Sequence, residues 1–458
     1  MGFIRYIFAL WIAKATRFVM RLLRRRGTIF PGALALKLCP DFLQYVGKPK
    51  KIIAVTGTNG KTTVSNLLFD ALTYDGLRVM GNRFGSNTAP GIISCLLTGC
   101  GIFGRPKHDI AVLEIDERSA KRLFSHITPD LLIITNLFRD SIMRNAHPGF
   151  IADFLTSAIP TRTRLILNAD DLIASSVAPH NKHVYFGIGR MASDVTECQN
   201  LLNDIRVCPC CHADLVYEYR RYHHIGRARC EKCAFASPEY DYAAKAVDLT
   251  HMKMTVSDAA GSGEYRLLSD SVYNIYNELT TISTLRELGY SHPRIAELLE
   301  KCAIVSSRFN VKRVGNHDII MQMAKEKNAL ACSRAFDYIS SLPGEKELLL
   351  MMNCLGDARD WSENTTWIYD CDFEFLRKDN IPLIVATGAR ARDYYLRLLL
   401  AGVPEASLHC IEDEFEAVEA LTFARDAYIF YGTDSLDLAY RVRDRAAAVA
   451  ERRHRDEV

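Results

Sequence analysis

Between Ile52 and Thr63 the chain reads IIAVTGTNGKTT, and no other stretch restricts the fold as tightly. The β-branched Ile52, Ile53 and Val55 favour a buried strand, Gly57 and Gly60 allow a tight turn, and SNLLFDAL continues as a helix. Strand, glycine loop and helix together make a phosphate cradle. Thr58, Asn59 and Gly60 would turn backbone N–H groups toward an anion at the helix N-terminus. Lys61 would reach the outer phosphates of a nucleoside triphosphate, and Thr62 or Thr63 would offer a hydroxyl to Mg²⁺. Val55 stands where the longer P-loop pattern has its first glycine, so this is the shorter GTNGKT form. A GKT triplet alone would suit a solvated turn equally well; the flanking strand and helix favour the cradle.

The chain has 458 residues, room for roughly three domains at about 150 each. We place an N-terminal helical segment at 1–49, an ATP-binding domain at 50–305 and a smaller α/β domain at 306–458. The net charge of +3 and the absence of a long basic stripe argue against nucleic acid as a partner. Fourteen cysteines beside a nucleotide loop fit reduced thiols and metal ligands in the cytoplasm better than a secreted disulfide scaffold.

MGFIRYIFALWIAKATRFVMRLLRRRG interrupts its apolar runs with Arg5, Lys14, Arg17 and Arg21, so none approaches the roughly 20 residues a spanning helix needs. No small-residue cleavage site follows and the arginines come after the apolar part instead of before it, which argues against a signal peptide. Two possibilities remain: a helix resting on an anionic membrane surface at the inner face of the cell membrane, or an ordinary helix packed on the first domain.

Beyond Ile52, strands and helices alternate as in a parallel sheet covered on both faces. HDIAVLEID supplies a strand over Asp109 to Asp116, DLLIITN one ending at Asn136, and RLILNADD one ending at Asp170 and Asp171. In open α/β sheets ligands bind at the carboxyl ends of the strands. Glu114 is therefore a candidate Mg²⁺ ligand across from Thr62, ahead of Asp116 and Glu117, although any one of them could be a solvated strand end.

TGTNGKTT, GSNTAPGI, LEIDE, TNLFRD, LNADD and YNIYNELTTIS, taken in this order, resemble the Mur ligase family. The resemblance implies an enzyme that activates a carboxylate as an acyl phosphate with ATP and Mg²⁺ and lets an amine attack it. It implies nucleotide contacts at Asn136, at Asn274 in YNIYNELTTIS, and at Arg308 in SRFNV, the turn opening the last domain.

An insertion over about 205–236 holds CPCC and CEKC, each a C-x-x-C knuckle. Cys208, Cys211, Cys230 and Cys233 at this separation fit a closed, structural Zn²⁺ site. Cys210, His212, His223 and His224 are possible substitute ligands, and free thiols or a disulfide are the alternatives to a metal.

A zinc ribbon within a Mur ligase central domain resembles the MurT-type synthetase subunits. The resemblance implies amidation of the D-glutamate α-carboxyl in lipid II, with ammonia from a class I glutaminase subunit (GatD-like) in a heterodimer. WIYD matches the motif whose acid, here Asp370, would complete the partner's Cys-His pair, with Asp357 and Asp360 as alternatives. A carboxylate in that role orients the imidazole and stabilises its cation. No glutaminase nucleophile elbow is present; TGCGI around Cys100 lacks the flanking glycines. The chain departs from the pattern at Cys354, at KEKNALACS, at SIMRNAH and in extra residues around Glu363 to Thr366. Those departures leave open an amino-acid ligase and a non-catalytic nucleotide-binding scaffold.

Overall fold

A computed structural model of the chain describes residues 2–25, 27–83, 86–139, 147–303, 309–324, 328–352, 365–432 and 435–456. The chain divides into two compact units, one of Met1–Leu137, Pro148–Gln199 and Asn203–Ile304, the other of Phe138–His147, Asn200–Leu202 and Val305–Val458.

In the first unit the strands are β1 (Lys51–Thr56), β2 (Val79–Gly81), β3 (Ile110–Glu114), β4 (Leu131–Ile134), β5 (Arg164–Asn168), β6 (His183–Ile188), β7 (Leu215–Tyr222), β8 (Ile225–Cys230), β9 (Tyr242–Asp248), β10 (Lys253–Asp258) and β11 (Gly261–Arg266). Nine of them form one sheet in the order β11-β10-β9-β6-β5-β4-β1-β3-β2, and β7 pairs with β8 as a separate antiparallel hairpin. Within that sheet β2, β3, β1, β4, β5, β6 and β9 run parallel. Their central members are buried on both faces and so read as unbroken apolar runs. The order reverses at β1, which lies between β3 and β4, and the crevice at the carboxyl ends of these strands is where the glycine loop emerges.

One edge departs from the expected parallel sheet. β10 and β11 are antiparallel to their neighbours, because the connections on either side of β10 are too short for a crossover and can only be hairpin turns. Gly261, at φ +138°, closes the second of them.

The helix Gly2–Leu22 packs one face into the first unit. Tyr6, Ala9, Leu10 and Ala13 are fully buried and share a core with Phe42, Leu96 and Ala111. Among the described residues no helix is long and apolar enough to cross a membrane.

The second unit is a six-stranded sheet of β12 (Phe309–Val314), β13 (His317–Met323), β14 (Lys346–Met351), β15 (Leu383–Thr387), β16 (Leu408–Ile411) and β17 (Asp426–Tyr431), ordered β12-β13-β17-β14-β15-β16. Only β12 runs antiparallel. Each face has its own core. Phe336, Trp367, Phe373 and Tyr394 lie on one side, and Val418 together with Val442 and Ala446 of the long helix Leu436–Asp456 lies on the other.

Candidate active site and metal centre

Residues 57–60 leave β1 as a loop with two glycines in the left-handed region, Gly57 at φ +123° and Gly60 at φ +86°. Both are also needed for space. A Cβ on Gly57 would collide with Thr135, and one on Gly60 with the side-chain amide of Asn277. Gly60 caps the helix Lys61–Tyr74 without any side-chain acceptor, so the N–H groups of its first turn point into the crevice. Asn136 holds the loop from the side: its Oδ1 accepts from Asn59 N at 3.0 Å, its Nδ2 donates to Asn59 O at 3.0 Å, and its carbonyl accepts from Thr58 N at 2.8 Å.

Lys61 folds back over this loop. Its ammonium donates to Gly57 O and pairs with Glu117 Oε1 at 2.9 Å. Burial works against the charge, but Glu117, then Glu114 and Asp116, outweigh it and hold Lys61 above the ordinary lysine value. Glu117, expected as a secondary Mg²⁺ ligand, is thus the buried counter-ion of the lysine. Thr62 Oγ1 donates to Glu114 Oε2 at 2.9 Å. Asn87 Nδ2 holds Glu114 Oε1 at 3.0 Å, and the Asn82 side chain brackets the Glu114 backbone. A hydroxyl and an oriented carboxylate within 3 Å form the hard-oxygen donor set that Mg²⁺ takes. Thr63 lies in the same first turn, half-buried.

Asn274 and Asn277 sit on the helix Val272–Glu287, where Asn277 Nδ2 donates to Asn274 Oδ1 at 3.2 Å. Sequence reasoning chose Asn274, but Asn277 is the buried one and the one against Gly60. Its signal lay in the same YNIYNELTTIS string, one helical turn on. Arg308, Asp357 and Asp360 lie outside the described residues.

The Sγ atoms of Cys208, Cys211, Cys230 and Cys233 all lie within 4.8 Å of one another, a spacing that one tetrahedral Zn²⁺ can bridge. Backbone N–H groups of Cys210 and Lys232 donate to Cys208 Sγ and Cys230 Sγ at 3.4 and 3.3 Å, so each knuckle supports a thiolate from its own turn. Cys210, His212, His223 and His224 are not members of the cluster.

The far end of the hairpin is locked into the sheet. Arg221, from β7, pairs with Asp170 at 2.9 Å and Asp194 at 3.2 Å, and all three side chains are essentially inaccessible. Burial opposes the guanidinium, but Tyr276, Asp170 and Asp194 hold its pKa above the usual arginine value. Tyr276 OH and Ile188 N also donate to Asp170 Oδ2, at 2.5 and 3.0 Å. His224 Nε2 lies 3.2 Å from Asp171 Oδ1, and Asp171 Oδ2 accepts from Leu137 N at 2.7 Å. Asp170 and Asp171, expected among the ligand-binding strand ends, are instead consumed in tying the ribbon to β5.

In the second unit Asp370 ends the helix Thr366–Asp370, which is anchored by buried Trp367 and Ile368 and leaves Tyr369 exposed and Asp370 half-buried. Asp372, two residues on, is buried and accepts from Asn200 Nδ2 at 2.9 Å and Leu201 N at 2.6 Å. The two acids therefore differ in exposure.

Residues 55–204 match the Mur ligase middle domain, and residues 326–433 the MurT ligase C-terminal domain. The chain is 32% identical over 400 residues to the Staphylococcus aureus (strain COL) protein named lipid II isoglutaminyl synthase (glutamine-hydrolyzing) subunit MurT, covering 86% of this chain and 88% of that one. It is 31% identical over 396 residues to the protein of the same name from Streptococcus pneumoniae R6, covering 85% and 86%. Among solved structures, a pseudomurein peptide ligase type C from Methanothermus fervidus shares the fold at TM-score 0.65 and 21% identity, covering 88% of this chain and 80% of that one. MurF from Acinetobacter baumannii does so at 0.61 and 17%, covering 90% and 80%. A GTNGKT loop at the switch point of a Mur-type sheet, a four-thiolate ribbon and this degree of identity along nearly the whole length agree, and the chain belongs to the MurT family of Mur ligases.

Proposed function

We propose that this chain is the ATP-dependent synthetase subunit of a lipid II isoglutaminyl synthase. A D-glutamate α-carboxylate oxygen of the lipid II stem peptide attacks the γ-phosphorus, ADP leaves, and an acyl phosphate forms. Ammonia then adds to the acyl carbon and phosphate departs, leaving the amide and a proton. The ammonia comes from a class I glutaminase subunit, in keeping with relatives named as glutamine-hydrolysing subunits. An ATP-dependent step with reduced thiolates fits the cytoplasm.

The observation that carries this reading is the pairing of Lys61 with the Thr62–Glu114 hydrogen bond at one loop, since phosphoryl transfer is catalysed mostly by positioning and charge. Gly60 and the first turn of the helix Lys61–Tyr74 present N–H groups to the phosphates, while Thr58 and Asn59, whose N–H groups are taken by Asn136, shape the loop around them, and Lys61 leaves Glu117 for the β/γ oxygens. Mg²⁺, when bound, would neutralise phosphate charge, held by Thr62 and Glu114. Asn136 and Asn277 keep the loop in shape, with Asn274 and Arg308 contacting the nucleotide. Zn²⁺ at the four cysteines would be structural. Asp370, on a partly exposed helix end, would reach the partner's histidine, with Asp357 and Asp360 as alternatives.

The test is an amidation assay with the full chain, its cognate glutaminase, lipid II and ATP. Asp370→Asn should lower glutamine-dependent amidation by a factor on the order of 10³–10⁴, because orientation of the imidazole is lost, and leave ammonia-dependent amidation near wild type. Equal loss with both nitrogen sources would move Asp370 to the ligase site. No amidated lipid II from the wild type with either source would overturn the function itself.

A further inference from the structure

The helix Gly2–Leu22 is apolar on two faces, and only one is covered. Tyr6, Leu10 and Ala13 enter the core. Ile4, Phe8, Trp11, Ala15, Phe18 and Leu22, spaced alternately four and three apart, form a continuous outward stripe. Phe8 is 60% exposed, Trp11 52%, Phe18 70% and Leu22 75%. The stripe extends onto a second element: Trp11 Nε1 donates to Ile102 O at 2.8 Å, and the turn there exposes Ile102 and Phe103 by 62% and 66%. Scattered apolar side chains are ordinary on a surface, but a contiguous patch from two elements marks an interaction site.

Charge decides what covers it. Eight Lys and Arg residues precede Asp41, the first acid in the sequence. Lys14 turns inward to Leu97 O and Cys100 O, whereas Arg21, Arg24 and Arg25 are exposed at the end of the stripe, and Arg105 and Lys107 are exposed beside Phe103. A second copy docked on this face would bring like charges together. We propose that the stripe and the Ile102–Phe103 turn form a docking surface for an anionic phospholipid bilayer, with the helix lying in the interface plane. Aromatic and aliphatic side chains enter the acyl boundary while the arginines meet the headgroups, the combination by which interfacial helices bind. The helix does not cross, since its arginines interrupt every apolar run. This inference is independent of the ligase chemistry and is tested without nucleotide or lipid II.

The full chain is sedimented with vesicles of phosphatidylglycerol and phosphatidylethanolamine, and separately with phosphatidylcholine alone. Wild type should partition onto the anionic vesicles, with a blue shift in tryptophan fluorescence that Trp11→Phe removes. Phe8→Ser/Phe18→Ser/Leu22→Ser should weaken partition on the order of 100-fold. Arg24→Glu/Arg25→Glu should weaken it by about fivefold or more per residue, an effect that fades at high salt. Unchanged thermal unfolding of both variants separates lost docking from lost folding, because the altered side chains face outward. Wild type left in the supernatant with anionic vesicles, or a triple-serine variant that binds as wild type does, would overturn the proposal. So would a triple-serine variant that loses self-association or its glutaminase subunit while its vesicle binding is unchanged, since the stripe would then be a protein interface.

Discussion

At the ribbon, each pair of thiolates comes from one tight turn, and each turn supplies its own supporting N–H. At the phosphate loop nothing is so local. Lys61 is paired by Glu117 beyond β3, the loop is held by Asn136 beyond β4, and Gly60 is crowded by Asn277 from a helix more than two hundred residues on. A metal can organise a short segment because its binding energy substitutes for a core. A phosphate cradle must be rigid before its ligand arrives, so it draws on the whole sheet.

The sharpest way to break this contrast is through the metal. One zinc per chain should co-purify, and Cys230→Ser should lose it together with stabilisation of the ribbon on the order of 10 kcal/mol, read by elemental analysis and by proteolysis within 205–236. Freshly purified, reduced wild type without zinc would refute the ribbon's independence.

Next in size is the anchor where the ribbon ceases to be local. Arg221→Ala leaves Asp170 and Asp194 buried without their cation, and thermal unfolding should show a loss of about 4 kcal/mol while zinc content stays at wild type. Zinc lost along with stability would mean that cluster and anchor are a single unit.

At the loop itself, Lys61→Ala should cost about 3 kcal/mol by stranding the buried Glu117 carboxylate. Lys61→Ala/Glu117→Gln should recover most of that stability while ATP-dependent turnover stays down by about 10³. Recovery of turnover in the double variant would show that Lys61 serves only Glu117.

The smallest effect belongs to Glu278, beside Asn277. Burial, opposed only by the N–H of Leu268, lifts its carboxyl from 4.5 to about 7. The unfolded chain ionises first, so stability is fully present below pH 4.5, falls as pH rises toward 7 and is level above it, by about 2–3 kcal/mol in all. Denaturant titrations should show Glu278→Gln flattening that slope; an unchanged slope would assign it to another group.

The central strands were legible because a strand buried on both faces is apolar throughout, as in Ile52–Val55 and Leu131–Ile134. β2 escaped notice because three residues ending in glycine carry no period, and the antiparallel edge did because β9 and β11 alternate too weakly to stand out as strands. At the site, Lys61, Thr62, Glu114 and the four cysteines could be chosen from residue type and spacing alone. Glu117 and Asp170 were seen as strand-end acids, but nothing local distinguishes a carboxylate that meets a ligand from one that meets a buried arginine or lysine.

The sequence by itself determined the cradle, the knuckles and the central strands, because each is written in neighbouring residues whose backbone preferences and spacing act over one turn or one strand. Only the tertiary structure decided which polar groups are committed. Asp170 went to Arg221, Glu117 to Lys61 and Asp372 to Asn200, while one face of the first helix stayed uncovered. Those pairings depend on desolvation, and whether a charge is desolvated is fixed by what distant segments lay across it.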